Sequence, residues 1–150
     1  MNSKNFKIAI VGLGYVGLPL YFAFSKYFSC TGFDINKKKI SELKKNNDQN
    51  KQFRKKDFKN QKNLNFSIYA KDIKNCNTYI VTVPTPINKS NQPDLRALKT
   101  SCKLIASILK KNDLIIFEST VYPGVTNDIC IPLIEKESGY KINTDFEVGY

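Results

Sequence analysis

Apolar and polar positions along this chain alternate between two rhythms. Continuous apolar runs, the pattern of strands buried on both faces, fall at residues 8–11, 30–33, 78–83 and 114–118, and residues 64–69 resemble a further strand. Helical spacing fills the intervals. Residues 15–28 are apolar on nearly every side (Val16, Leu18, Leu20, Phe22, Phe24), which suits a helix held between a sheet and other structure. Residues 37–45 place Ile40 and Leu43 inward and lysines outward. In residues 95–110, Leu95, Leu98, Cys102, Ile105 and Leu109 recur at three- and four-residue steps, with Asp94 in the N-cap position after Pro93. A further helix opens near Thr126. Residues 46–63 break the rhythm: Lys, Asn and Gln dominate, Phe53 and Phe58 are the only large apolar residues, and the stretch reads as a mobile excursion with room for one short helix. Strands alternating with crossover-length helices specify an α/β, doubly wound, mainly parallel sheet with helices on both faces.

The first apolar run ends in glycines spaced G-x-G-x-x-G: Gly12, Gly14 and Gly17. Each has a separate mechanical task at the turn from a strand into a helix. Gly12 permits the tight turn, Gly14 lets backbone approach a pyrophosphate, and Gly17 lets the helix pack close to the sheet. The amides at that helix's start would then face phosphate with the positive end of the dipole behind them. By itself the spacing is weak. Here the second strand ends in Asp34, 22 residues after Gly12, where a carboxylate binding ribose hydroxyls is expected. The combination predicts a Rossmann-type dinucleotide site; a structural turn without ligand is the alternative.

Residues 8–25 carry no charged side chain and follow Lys4 and Lys7, so a signal peptide or short membrane span also comes into question. Three glycines and Pro19 make a poor spanning helix, and Ser25-Lys26-Tyr27-Phe28 interrupts any small-x-small cleavage site. No membrane partner is expected.

The chain has 150 residues, 41% hydrophobic and 12% aromatic, enough for one core of ordinary size and one domain. A formal charge of +11 would ordinarily suggest nucleic acid. Arg54 and Arg96 are the only arginines, however, and the lysines are mixed with asparagine and isoleucine as an A+T-rich coding sequence would produce. Arginine's planar fork, the usual tool for phosphate and base recognition, is nearly missing, so no nucleic-acid partner is expected. Cys30, Cys76, Cys102 and Cys130 form no C-x-x-C pair and lie in or beside apolar elements, as reduced, buried, cytoplasmic cysteines do. With no histidine in the chain, no zinc site and no histidine relay are expected.

The functional edge of such a sheet is at the C-terminal ends of its strands. Three ends carry unusual chemistry: Asp34; Pro84-Thr85-Pro86, where two prolines fix a loop bearing a hydroxyl; and Glu118-Ser119-Thr120-Val121-Tyr122-Pro123-Gly124. Ser119, Thr120 and Thr126 could equally serve as turn caps.

The segments VGLGYVGLPL, GFDINKKKI, YIVTVPTPI with PDL following, and FESTVYPGVT resemble, in order and spacing, the N-terminal half of the nucleotide-sugar 6-dehydrogenases, the UDP-glucose/GDP-mannose dehydrogenase family. Within it, residues 118–124 and 138–150 look most like the UDP-N-acetylhexosamine 6-dehydrogenases of Vi-antigen and O-antigen synthesis, with UDP-N-acetylglucosamine or UDP-N-acetylgalactosamine as substrate. The resemblance implies a cytoplasmic, homo-oligomeric, NAD-dependent oxidoreductase. It would oxidise the sugar C6 alcohol to a carboxylate with two NAD for surface polysaccharide synthesis. It also implies that Gly12, Gly14, Tyr15, Val16 and Gly17 cradle the pyrophosphate and that Asp34 binds the adenosine ribose, with Lys39 nearby. Thr85 would contact the cofactor, and Thr120, beside the nicotinamide, would help position water or an oxyanion. Rigid positioning and uncharged hydroxyls suit hydride transfer.

The family's nucleophilic cysteine, with its lysine and asparagine partners, belongs to the C-terminal half, and no cysteine of this chain matches it. Its S-P-E-R segment would begin after Tyr150. The expectation is a dinucleotide-binding domain, residues 1–150, severed from its catalytic and sugar-binding half, which binds NAD without completing catalysis. A UDP-glucose or GDP-mannose dehydrogenase fragment, a standalone NAD-binding regulatory module and a basic nucleic-acid or membrane-surface protein are the alternatives.

Overall fold

The structure is a computed structural model that describes residues 6–59, 61, 63–87 and 92–150. Lys4 and parts of the excursion lie outside the described residues. Six parallel strands form one sheet in the order β3-β2-β1-β4-β5-β6. They are β1 (Lys7–Val11), β2 (Ser29–Phe33), β3 (Phe66–Ser67), β4 (Thr78–Val81), β5 (Asp113–Phe117) and β6 (Phe146–Gly149). The helices are α1 (Gly17–Phe24), α2 (Lys37–Lys44), α3 (Lys55–Lys59), α4 (Arg96–Ala106) and α5 (Ile131–Ser138). This is the expected doubly wound α/β fold.

The period-2 alternation of strand side chains divides the core into two layers. Ala9, Val11, Tyr79, Val81, Ile115 and Phe117 face α4, α5 and the turn leading into α5, where Leu98, Cys102, Ile105, Cys130 and Ile134 meet them. Ile8, Ile10 and Ile80 face the other way, onto Leu18, Tyr21 and Phe22 of α1 and Ile40 and Leu43 of α2. All four cysteines are free and buried. Burial pushes the Cys30 thiol up to about 12 and raises that of Cys76, so neither is a thiolate at neutral pH.

Several boundaries differ from those expected. The first helix begins at Gly17 because the glycine turn occupies residues 14–16. It ends at Phe24, where the Tyr27 and Phe28 amides both return to the Phe24 carbonyl and turn the chain into β2. β3 shrinks to two residues because the Ser67 hydroxyl donates to Asp72 at 2.5 Å and accepts the Tyr69 amide, curling the chain away from the ladder. β4 stops at Val81, although the Thr82 amide still reaches the Val11 carbonyl. The N-cap position falls to Leu95, without a side-chain capping bond, and not to Asp94, which accepts the Arg96 amide from one residue further out; the helix starts one residue later and ends four residues earlier than its apolar pattern suggests. The segment opening near Thr126 is a wide π turn, Thr126–Cys130, leading into α5; Pro132 has no N–H to give to the carbonyl four residues back. β6 carried no expectation: only Phe146 of that strand is buried.

Candidate functional site

The site begins where β1 hands over to α1. Gly12 has φ +99°, and a Cβ there would press on Thr82 and Val83 backbone at 3.1 Å. Gly17 is more tightly confined. Its Cβ would lie 1.8 Å from the Gly12 carbonyl oxygen and 2.4 Å from the Thr82 hydroxyl, so α1 comes this close only because Gly17 has no side chain. Gly14 is the opposite case: a Cβ would meet nothing within 4 Å, and its backbone faces open space. That combination, a crowded back and an open front, fits a loop built to receive a phosphate group.

The open space is a cleft of about 390 Å³. Its floor is the glycine turn with Tyr15 and Val16, Asp34 and Lys39 stand at one end, and Thr85 and Thr120 line the other. Gly17 does not border the cleft; it acts from behind by admitting the helix. Beyond Thr120 a second hollow of about 570 Å³ runs past Tyr122 and Asn127 to Tyr150. Glu118, Ser119 and Thr120 are common to both. On the far side of Asp34 a third opening, about 340 Å³, lies between Ile35, Asn36 and Pro84 and the α4 residues Ala97, Ser101 and Leu104. Tyr15, Val16, Ile35, Ile87, Tyr122 and Tyr150 are exposed in loops beyond the ends of β1, β2, β4, β5 and β6; Tyr27 and Tyr69 are exposed elsewhere.

Asp34 is only 7% exposed, and its carboxylate is already engaged. One oxygen accepts the Leu13 amide at 3.0 Å and the Lys39 ammonium at 2.6 Å; the other accepts the Asn36 amide at 2.9 Å. The Leu13 bond ties the carboxylate to the glycine turn. The second oxygen keeps capacity for a further donor. Lys39 therefore neutralises Asp34 rather than projecting a free charge. Asn36 caps α2 by accepting the Lys39 amide, which fixes the turn bearing this pair.

Two hydroxyls that sequence reasoning passed over, or left as turn caps, hold the opposite wall. Thr82 donates to the Gly12 carbonyl at 2.6 Å and so latches β4 to the glycine turn. Ser119 donates to the Val83 carbonyl at 2.8 Å and joins the loops after β4 and β5. Thr85 donates to the backbone carbonyl of Thr120, and this contact brings the two hydroxyl-bearing loops together. The Thr120 side chain stays exposed. No group of three or more metal-ligating side chains occurs among the described residues, and none of their helices is long and apolar enough to cross a membrane.

Comparison with known proteins identifies the family. Residues 6–150 match the model of the UDP-glucose/GDP-mannose dehydrogenase family, NAD binding domain. The chain is 46% identical over 147 residues to a UDP-N-acetyl-D-glucosamine 6-dehydrogenase of Pseudomonas aeruginosa, covering 98% of this chain and 35% of that protein. It is also 46% identical over 144 residues to one of Salmonella typhi, covering 96% of this chain and 34% of that protein. The chain thus spans about a third of the length of these relatives. Among solved structures, a ternary complex of GDP-mannose dehydrogenase from Pseudomonas aeruginosa superimposes with a TM-score of 0.88 at 27% identity, covering 95% of this chain and 35% of that one.

Proposed function

Because the chain belongs to the UDP-glucose/GDP-mannose dehydrogenase family and is its NAD-binding domain, we propose that it supplies the cofactor site of a UDP-N-acetylhexosamine 6-dehydrogenase. The observation that carries the sugar class is the 46% identity to two proteins that bear the name UDP-N-acetyl-D-glucosamine 6-dehydrogenase. UDP-N-acetylglucosamine and UDP-N-acetylgalactosamine are the substrates proposed, and surface polysaccharide synthesis the use. Oxidising a primary alcohol to a carboxylate removes two hydrides and consumes one water, so two NAD are reduced per sugar. When bound, NAD supplies the hydride acceptor.

The residues of this chain bind and orient. Gly12, Gly14, Tyr15 and Val16 present backbone to the pyrophosphate, with Gly17 holding α1 close behind them. Asp34 takes the adenosine ribose through the oxygen that has spare capacity, and Lys39 steadies that carboxylate. The apolar opening between Ile35, Pro84 and Leu104 suits the flat adenine. Thr85 and Thr120 flank the nicotinamide end. Thr120 borders both hollows, so its hydroxyl is where cofactor and sugar would meet, and there it orients water without adding charge.

The test is NADH formation by this domain joined to a family C-terminal half, offered four substrates: UDP-N-acetylglucosamine, UDP-N-acetylgalactosamine, UDP-glucose and GDP-mannose. Oxidation of a UDP-N-acetylhexosamine is expected. Oxidation of UDP-glucose or GDP-mannose alone would overturn the sugar class. The 150-residue chain by itself should bind NAD and reduce none, since its four cysteines are all buried. Turnover of a UDP-sugar by the isolated chain would overturn that division of labour.

A further inference from the structure

The polar excursion after α2 has a folded core that its composition conceals. Asp48 is 7% exposed and gathers three backbone amides, from Asn50 at 2.9 Å, Gln52 at 2.8 Å and Phe53 at 3.1 Å. The loop this carboxylate winds is fastened to the scaffold at two points. Phe53 stacks on Phe22 of α1, with ring centroids 4.2 Å apart and planes 17° apart. Gln52 donates its side-chain amide to the Tyr15 carbonyl at 3.0 Å. That second bond fixes the Tyr15–Val16 peptide, whose N–H belongs to the first turn of α1 and to the glycine loop itself.

Just before these fastenings stands Asn50. It borders the same cleft as Gly14, Tyr15 and Val16, is half-buried, and makes no side-chain hydrogen bond among the described residues. A carboxamide carries two N–H donors, which suit phosphate oxygens already facing backbone amides. We propose that residues 48–53 form a second arm of the cofactor site, with the Asn50 side-chain amide donating to the dinucleotide pyrophosphate across the cleft from Gly14. This rests on the NAD-binding reading of the cleft. The arm adds a neutral donor from an element outside the strand-turn-helix unit, and Asp48, Gln52 and Phe53 hold it in place before the cofactor arrives.

Calorimetric titration of NAD into the 150-residue chain tests the arm, using Asn50→Ala, the isosteric Asn50→Asp and, as a control on the cleft, Gly14→Val. Thermal melting of each variant without ligand checks that the fold is retained. Asn50→Ala should weaken NAD about tenfold to a hundredfold, the worth of one charge-assisted hydrogen bond. Asn50→Asp should weaken it further, because a carboxylate then faces the phosphates, and added salt should narrow that difference. If Gly14→Val loses NAD while both Asn50 variants bind as the parent does, the arm is overturned and the cofactor site stands. If Gly14→Val also binds as the parent does, both are overturned. Equal weakening by Asn50→Ala and Asn50→Asp would likewise exclude contact with the pyrophosphate.

Discussion

Gly14 and Gly17 are three residues apart in one motif, yet the structure gives them opposite sensitivities to a side chain. In Gly17→Ala the new Cβ would sit 1.8 Å from the Gly12 carbonyl oxygen, whereas carbon and oxygen normally approach to about 3.3 Å. Helix α1 must back away by roughly 1.5 Å, judged against that same approach distance. Overpacking of this kind costs about 1–3 kcal/mol, and in a domain of this size each kcal/mol lowers Tm by about 2–4 °C, so a fall of about 2–12 °C is expected. A Cβ at Gly14 meets no atom within 4 Å, and the stability of Gly14→Val should stay within about 1 kcal/mol of the parent. The valine instead fills the space the pyrophosphate needs, and NAD affinity should fall at least about tenfold, or about 1.4 kcal/mol. Thermal unfolding followed by circular dichroism reads the first effect, and calorimetric titration of NAD reads the second. A folded Gly14→Val chain with parental NAD affinity, or a Gly17→Ala chain with parental Tm, would refute the reasoning.

NAD should bind more tightly than NADP, because a 2′-phosphate would be forced against the Asp34 carboxylate. Lys39→Ala, which strips away the 2.6 Å ion pair, should widen that preference, and tighter NADP binding by the parent chain would count against it. In the joined enzyme, Thr120→Ala should lower turnover more than it weakens NAD binding; steady-state kinetics beside a binding titration would expose the reverse pattern. The Arg96 guanidinium and amide beside Asp94 hold its carboxyl down to about 2. A folded pKa below the unfolded value of 3.8 means the Asp94–Arg96 contact stabilises above about pH 4 and fades as pH falls through about 2. A carboxyl shift titration by NMR should place the Asp94 midpoint well below 3.8 in the parent and closer to that value in Arg96→Ala, which keeps only the backbone amide bond.

What the sequence disclosed was whatever is encoded at short range. The glycine spacing, the strand leading into it and Asp34 at the next strand end are local patterns, and Gly12, Gly14 and Asp34 border the same cleft. The apolar stripe of α4 likewise named its own core face at Leu98, Cys102 and Ile105. Asn50 escaped notice because a run of Lys, Asn and Gln has no periodicity, and its order comes from one buried carboxylate, Asp48, collecting backbone amides. The Thr85 contact with Thr120 and the Ser119 contact with Val83 join loops 35 and 36 residues apart, and no local spacing announces such pairings. β6 was missed because an edge strand burying a single phenylalanine leaves almost no apolar signature.

The strand order also governs when the site can exist during synthesis. β1 lies between β2 and β4, with Ile8 opposite both Cys30 and Thr78. The latch from Thr82 to Gly12 spans 70 residues, which a ribosome adding about 5–20 residues per second takes roughly 4–14 s to make. Throughout that interval one edge of the strand bearing the glycine turn lacks its neighbour, and the opposite wall of the cleft does not yet exist. NAD cannot chaperone the first steps of this fold; it can only favour a chain that has already been translated past β4.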